Sequence, residues 1–169
     1  MIWFWFVVGA VAFLGLGALF GAPYVPSRRV ELRQLFKKGL PLGPHDVVVD
    51  MGSGDGIVLI EALRAGAARA VGYEIHPVFA AIGWLRTRRY GSRARVHWTN
   101  SWSADYPDDV TVVYAFGVEK DGGRLYQSVR RQATRVGRTL SLVSYGNPIS
   151  GQTPRKTYRA YRIYSVKPE

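Results

Sequence analysis

The stretch VVVDMGSGDG, residues 47–56, joins a short apolar run to a turn rich in glycine. An apolar run between polar residues is typical of a buried parallel strand. Gly52 and Gly54 allow a tight turn in which a ligand can approach the backbone, and Gly56 lets a helix start close to the strand. Residues 57–65 follow as that helix. The stretch therefore predicts a strand, loop and helix unit that binds a small molecule.

The next acidic residue at a strand end indicates which ligand the loop binds. Glu74 follows Gly56 by 18 residues, after the next apolar run, where a carboxylate can accept hydrogen bonds from ribose hydroxyls. The loop is G-x-G-x-G, not the G-x-G-x-x-G of dinucleotide sites, and the sequence has no P-loop motif. Asp50, just before the loop, suits the ammonium of a methionine moiety. S-adenosylmethionine (SAM) is the predicted ligand, and ordinary turn glycines are the alternative.

The chain after residue 28 alternates helical and strand patterns, which predicts an α/β domain over 28–169 with helices on both faces of a parallel sheet. Helix 28–38 is expected to begin at a Ser27 cap and to turn Val30, Leu35 and Phe36 inward. The further helices are expected at 57–65, 78–89 and 125–136, and the strands at 47–49, 70–73, 94–98, 110–116, 139–145 and 158–166.

An uncharged apolar segment opens the chain at residues 2–22, close to the 20 residues or so that span a bilayer. Trp3 and Trp5 suit a membrane interface. We expect a transmembrane anchor over 1–22, a stiff proline linker over 23–27, and a cytoplasmic domain that basic residues hold against anionic lipid. A cleaved signal peptide and a buried core helix are the alternatives. The basic flank consists of Arg28, Arg29, Arg33, Lys37 and Lys38.

Composition limits the remaining chemistry. The chain has no cysteine, which excludes disulfides and thiolate sites, and its three histidines lack metal-ligand spacing, so no metal site is expected. The formal net charge of +11 suggests nucleic acid, anionic lipid or an acidic partner nearby, or only a basic solvated surface. Arg86, Arg88 and Arg89 are expected to form a solvated helix face, with phosphate or lipid contact as the alternative.

The pattern Asp50-x-Gly52-x-Gly54-x-Gly56 with Glu74 resembles class I SAM-dependent methyltransferases, which have a Rossmann-like sheet. Three further segments are similar to the membrane-anchored protein-lysine methyltransferase family that includes the ATP synthase c-subunit lysine methyltransferase. These segments are PYVPS at 23–27, GYEIHP at 72–77, and the stretch from Val143-Ser144 to Pro148, ending at Pro154, which is similar to the family's proline loop after a strand. The chain departs from that family at His76, where Asn is usual, and at residues 117–119, where a Pro-Ser pair is usual.

The resemblance implies a role for each site residue. The loop residues would hold the methionine part of SAM, Glu74 the ribose and Ile75 one adenine face, while Tyr24 would cover the methyl site and Pro148 would lie on the substrate side. Linker and packing roles are the alternatives for Tyr24 and Trp102. The loop residues are Asp50, Gly52, Ser53, Gly54 and Gly56, and the adenine edge would meet Asn100, Ser101 and Trp102.

The expected acceptor is a lysine of a membrane or membrane-adjacent protein. Desolvation can lower the pKa of an amine, so no catalytic residue is assigned. A nucleic-acid methyltransferase is the first alternative, but the fourth predicted strand leads into Tyr114-Ala115-Phe116-Gly117, without the Asn/Asp-Pro-Pro-aromatic motif of enzymes that methylate exocyclic base nitrogens. A membrane-bound SAM-binding protein without catalysis is the second.

Overall fold

The computed structural model describes residues 3–5, 28–116 and 121–169. In this part of the chain, no helix is long and apolar enough to cross a membrane. The predicted anchor, apart from residues 3–5, lies outside the described residues, as do the proline linker with Tyr24 and the departure at 117–119.

Within residues 28–116 and 121–169, the structure has four α-helices and seven strands. The helices are α1 Arg29–Gln34, which continues as a π-helical turn over Leu35–Gly39, α2 Ile57–Arg64, α3 Pro77–Thr87, which continues as a 3₁₀ helix over Arg88–Arg93, and α4 Gly122–Val136. The strands are β1 Val47–Met51, β2 Arg69–Glu74, β3 Ala94–Trp98, β4 Val112–Ala115, β5 Leu140–Tyr145, β6 Lys156–Tyr158 and β7 Tyr161–Val166.

One sheet carries all seven strands, in the order β3-β2-β1-β4-β5-β7-β6. The first five strands are parallel, and β7 runs antiparallel to β5 and β6. Asp50 lies level with Gly72 on one side and Tyr114 on the other. The carboxyl ends of β1, β2 and β4 therefore meet at one edge, where ligands of open α/β sheets bind.

Helices cover both faces of the sheet, which confirms the predicted α/β architecture. Leu32, Phe36 and Leu59 of α1, its π-helical turn and α2 share one buried cluster with the sheet residues of that face. Leu125 and Val129 of α4 share a second cluster on the opposite face. A sheet buried on both sides explains why β1 is apolar at nearly every position.

Three expectations were wrong. Arg28 and not Ser27 occupies the N-cap position of α1, and no side chain of the described residues caps the helix. Val30 is 63% exposed, because α1 buries Leu32, Leu35 and Phe36 at a spacing of three and four residues, and Val30 falls on the other side of that stripe. The tail forms two antiparallel strands, not one, with a turn at Arg159 and Ala160. The sequence does not predict this turn, because the turn contains no Gly, Pro, Asn or Asp. Arg159 nevertheless adopts a left-handed φ of 55°.

Candidate functional site

The glycine loop bends directly after β1 and is tied to β2. The backbone N–H groups of Gly52 and Ser53 both donate to the carbonyl oxygen of Tyr73, at 2.9 and 3.0 Å. Gly52 has a φ of 83°, and a Cβ placed on it would meet no atom within 4 Å. Glycine here serves the turn and leaves open space in front of the backbone, as a closely bound ligand requires.

Helix α3 presses against the same loop through a second glycine. A Cβ on Gly83 would come within 2.9 Å of the carbonyl oxygen of Gly54, closer than carbon side chains approach in real structures. The sequence alone does not indicate that Gly83 belongs to the site, because it shows only a glycine inside a predicted helix. The close approach fixes the position of the loop against α3.

Glu74 ends β2 and is only 8% exposed. Its Oε2 accepts a hydrogen bond from the N–H of Gly54, and its Oε1 accepts one from the N–H of His76, both at 2.8 Å. A carboxylate has about four lone-pair directions, so two hydrogen bonds leave capacity for further donors. The carboxylate is thus held in a fixed orientation beside the loop, in the position predicted for a ribose acceptor.

Asp50 is buried at the base of the loop. Its pKa is raised well above the usual value, first by burial and then by the neighbouring negative charges of Glu74 and Asp55. Asp55 itself forms an ion pair with Arg86 of α3. Asp50 and Glu74 form no ion pair among the described residues, so these two carboxylates beside the glycine loop favour a cationic ligand.

Ile75 follows Glu74 and is 48% exposed, so it offers an apolar surface beside the carboxylate. The indole N–H of Trp98, at the end of β3, donates to the carbonyl oxygen of Ile75 at 3.0 Å. An exposed aliphatic side chain beside the Glu74 carboxylate can pack against the face of a flat ring such as adenine. The predicted adenine contact of Ile75 stays a prediction.

The segment after β3 begins beside Glu74, where the N–H of Thr99 donates to the Glu74 carbonyl oxygen at 2.9 Å. Asn100 closes a turn by accepting from the N–H of Trp102 at 3.0 Å. Trp102 packs against the α4-side core, and the Arg124 guanidinium lies 4.5 Å from the centre of its ring. These contacts support a packing role for Trp102, while Asn100 and the half-buried Ser101 stay near the β2 end.

An aromatic group that sequence analysis missed lies at the ends of β4 and β5. Phe116 stacks on Tyr145 with ring centres 4.7 Å apart, and Tyr145 meets Tyr161 edge to face at 5.1 Å. Phe116 and Tyr145 are both half-buried. Pro148 is exposed in the loop that follows β5. The sequence shows an aromatic residue at the end of each strand. It does not show that the two rings contact each other, because Phe116 and Tyr145 are 29 positions apart.

Ser53 gives a further indication of ligand binding. Its Oγ is buried and has no hydrogen-bond partner among the described residues. A buried polar atom normally has such a partner, so its absence fits a group supplied from outside. Across the described ranges, His, Asp and Glu side chains form no group that could hold a metal ion.

Comparison with known proteins gives a family and several relatives. The family described as "ANTKMT methyltransferase domain" matches residues 50–156. The ATP synthase c-subunit lysine N-methyltransferase of Xenopus laevis is 28% identical over 121 residues, which is 70% of this chain and 52% of that protein. The adenine nucleotide translocase lysine N-methyltransferase of Mus musculus is 33% identical over 90 residues, 51% of this chain and 38% of that protein.

Solved structures share the fold. The RNA methyltransferase of Salinibacter ruber, determined in complex with S-adenosyl-L-homocysteine, aligns with a TM-score of 0.75 at 22% identity, over 86% of this chain and 95% of that one. At this identity the likeness shows the fold alone. The chain spans about half the length of the Xenopus relative and about two-fifths of the mouse relative.

Proposed function

The chain belongs to the family of ANTKMT methyltransferase domains, and we propose that it transfers a methyl group from SAM to a lysine side chain of a membrane or membrane-adjacent protein. The observation that carries the proposal is the pair of neighbouring carboxylates, Asp50 and Glu74, beside an open glycine loop. SAM carries an ammonium and a sulfonium but no phosphate, so this negative site favours it over a dinucleotide.

Different residues of the loop and its neighbours would contact different parts of the cofactor. Asp50 would face the ammonium, the backbone of Gly52 and Gly54 would line the methionine chain, and Glu74 would accept hydrogen bonds from the ribose. When bound, SAM would supply a methyl group on a positively charged sulfur, which is already an activated leaving group. The protein therefore has to position the acceptor and exclude water, and proximity and alignment can provide most of the rate.

The aromatic group at the β4 and β5 ends supports an amine acceptor. Phe116 and Tyr145 stack on each other at the edge of the sheet that carries the loop, and both rings are only partly buried. Aromatic faces attract cations, and a half-buried place disfavours the charged form of an amine. The ring faces would attract the charged lysine, while partial desolvation would lower the pKa of its amine, so that the proton could pass to water and the free amine could attack the methyl carbon without a dedicated base. Both relatives named above are lysine N-methyltransferases, which agrees with this acceptor.

The start of α1 supports a membrane-side acceptor. The pKa of Tyr161 is raised, first by burial and next by the negative charge of Glu31, so the beginning of α1 lies near the end of β5. The chain thus enters the domain close to the edge that carries the site. With the apolar segment 2–22 in a bilayer and the domain on the cytoplasmic side, the stiff linker 23–27 would keep this edge close to the lipid.

Cofactor binding is tested by calorimetry on the full chain in detergent. SAM and S-adenosylhomocysteine should bind and NADH should not. Glu74→Ala should weaken SAM binding by about 1–3 kcal/mol, because two hydrogen bonds to the ribose are lost. Preferential binding of NADH, or unchanged SAM affinity in Glu74→Ala, would contradict the assignment.

The acceptor is tested by mass spectrometry of membrane proteins from cells with and without the gene. A peptide in which a lysine loses the mass of one or more methylene groups on deletion would support the proposal. Methylation lost from RNA, with membrane proteins unchanged, would favour the nucleic-acid alternative. Binding of SAM without any lost methylation would favour a non-catalytic protein.

A further inference from the structure

Helix α3, Pro77–Thr87, presents an apolar face to the outside of the domain. The exposed fractions are 39% for Val78, 38% for Ile82 and 51% for Leu85. We propose that this face of α3 lies on the surface of an anionic lipid bilayer, as a membrane contact separate from the N-terminal segment. The proposal goes beyond methyl transfer and does not depend on it.

The outward face of α3 is apolar along its whole length. Val78, Ala81, Ile82 and Leu85 recur at intervals of three and four residues, so they share one side of the helix. The opposite side, which includes Gly83, packs against the glycine loop and the sheet. A surface helix normally carries polar residues on its outer side, and a helix that is apolar all round is normally covered.

The charge around this face indicates what covers it. Residues 75–104 contain no Asp or Glu and five arginines. Arg88 and Arg89, directly after α3, form no ion pair with any carboxylate of the described residues. An apolar stripe flanked by unpaired arginines is the pattern of a helix that lies in a membrane interface and attracts anionic headgroups.

Two exposed tryptophans lie at the borders of the face. Trp84 is 57% exposed on one flank of α3, and Trp98 is 70% exposed at the end of β3. Indole rings prefer the level of lipid headgroups. Because Trp98 is hydrogen-bonded to the carbonyl of Ile75, a lipid contact there would hold the edge of the sheet that carries the glycine loop at the membrane surface.

A second copy of the chain fits this face less well. A symmetric pair would bring the same patch of both copies together, so the arginines after α3 of one copy would meet a patch that carries the same positive charge. Like charges placed across an interface are costly. An acidic protein partner would suit the arginines, and its contact would not depend on lipid. Anionic lipid satisfies both the charge and the apolar stripe.

The natural chain has no cysteine, which permits a site-specific test on the full protein. Ile82→Cys carries an environment-sensitive fluorophore on the proposed contact, and Gln127→Cys carries it at an exposed position of α4, on the other face of the sheet. Each is added to vesicles of phosphatidylcholine and to vesicles of phosphatidylcholine with phosphatidylserine. The Ile82 probe should shift to the blue and be quenched by quencher-bearing lipid, more strongly with phosphatidylserine, and the Gln127 probe should show neither change.

The proposal is overturned if the two probes respond alike, or if the Ile82 signal changes with protein concentration and not with lipid, as a contact between copies requires. Thermal melting followed by circular dichroism checks that both labelled proteins are folded. Flotation of the same samples reports membrane attachment as such. Floating protein with an unquenched Ile82 probe would refute the α3 contact and leave the proposed function standing.

Discussion

Asp50 shows how one residue couples the site to its ligand. A buried carboxylate beside two other carboxylates is costly to ionise, which is why its pKa is raised. A cation in the loop would offset that cost. Ligand binding should therefore favour the ionisation of Asp50, and by thermodynamic linkage that ionisation should favour ligand binding to the same degree.

This coupling predicts a pH dependence. The folded, ligand-free protein holds the Asp50 proton more tightly than the unfolded chain, so the contribution of Asp50 to stability declines as pH rises from about 4 through its raised pKa. Affinity for SAM should rise over the same interval, since the charged carboxylate binds the ammonium. Asp50→Asn should bind SAM more weakly at neutral pH and with a flatter pH dependence, as measured by calorimetry.

The control is Asp121→Asn, at an exposed position before α4. It should keep the pH dependence of the natural chain. If Asp50→Asn also keeps that dependence, Asp50 is not the group that meets the cofactor's ammonium.

Tyr145 is the second residue with a specific expectation. Tyr145→Phe preserves the ring that stacks on Phe116, and it should retain most activity, whereas Tyr145→Ala should raise the KM for the protein acceptor and leave SAM affinity unchanged. A cation–π contact in a partly desolvated place is worth about 1–2 kcal/mol, or roughly a fivefold to thirtyfold effect. Tyr126→Ala, a half-buried tyrosine on the far face, is the matched control. Equal losses in both alanine variants would indicate a general effect on folding.

At the scale of elements, the junction between α3 and the glycine loop is a contact with no room for an added methyl group. Gly83→Ala should push the helix away from the Gly54 carbonyl, because the new Cβ would sit only 2.9 Å from that oxygen. Overpacking of this kind typically costs about 1–3 kcal/mol. Both the free energy of unfolding and SAM affinity should fall, as measured by denaturant titration and calorimetry.

Gly123→Ala supplies the comparison within a helix. Gly123 lies in α4, and a Cβ there would meet no atom within 4 Å. Alanine should raise the free energy of unfolding by about 0.5–1 kcal/mol through helix propensity and leave SAM binding unchanged. If Gly83→Ala were also neutral or stabilising, α3 would not determine the position of the loop.

Whole-molecule features differ in how far the sequence alone predicts them. The strand, the loop and Glu74 were predictable because each rests on local spacing that a strand-loop-helix unit imposes. The Gly83 contact with Gly54 and the stacking of Phe116 on Tyr145 were not, since each joins segments whose distance only the sheet order fixes. The sequence identifies the arginines after α3 but does not predict the exposed apolar face beside them, because the apolar spacing of a helix does not indicate which side faces the core.

The combination of an open, negatively charged loop with an aromatic edge and a basic, apolar flank fits an enzyme that works on proteins at a membrane. Part of the +11 charge would then serve attraction to lipid, and it would not require a nucleic-acid substrate. A nucleic-acid enzyme would instead act on naked RNA and lose activity steeply with salt.

The most direct test supplies the full chain with SAM labelled on its methyl group, together with membrane extract, soluble extract and total RNA in parallel. We expect label in a membrane protein, and loss of that label when the acceptor's lysines are replaced by Arg, which keeps the charge but cannot be deprotonated to a nucleophile. Label in RNA that resists protease, with none in membrane protein, would contradict the proposed function.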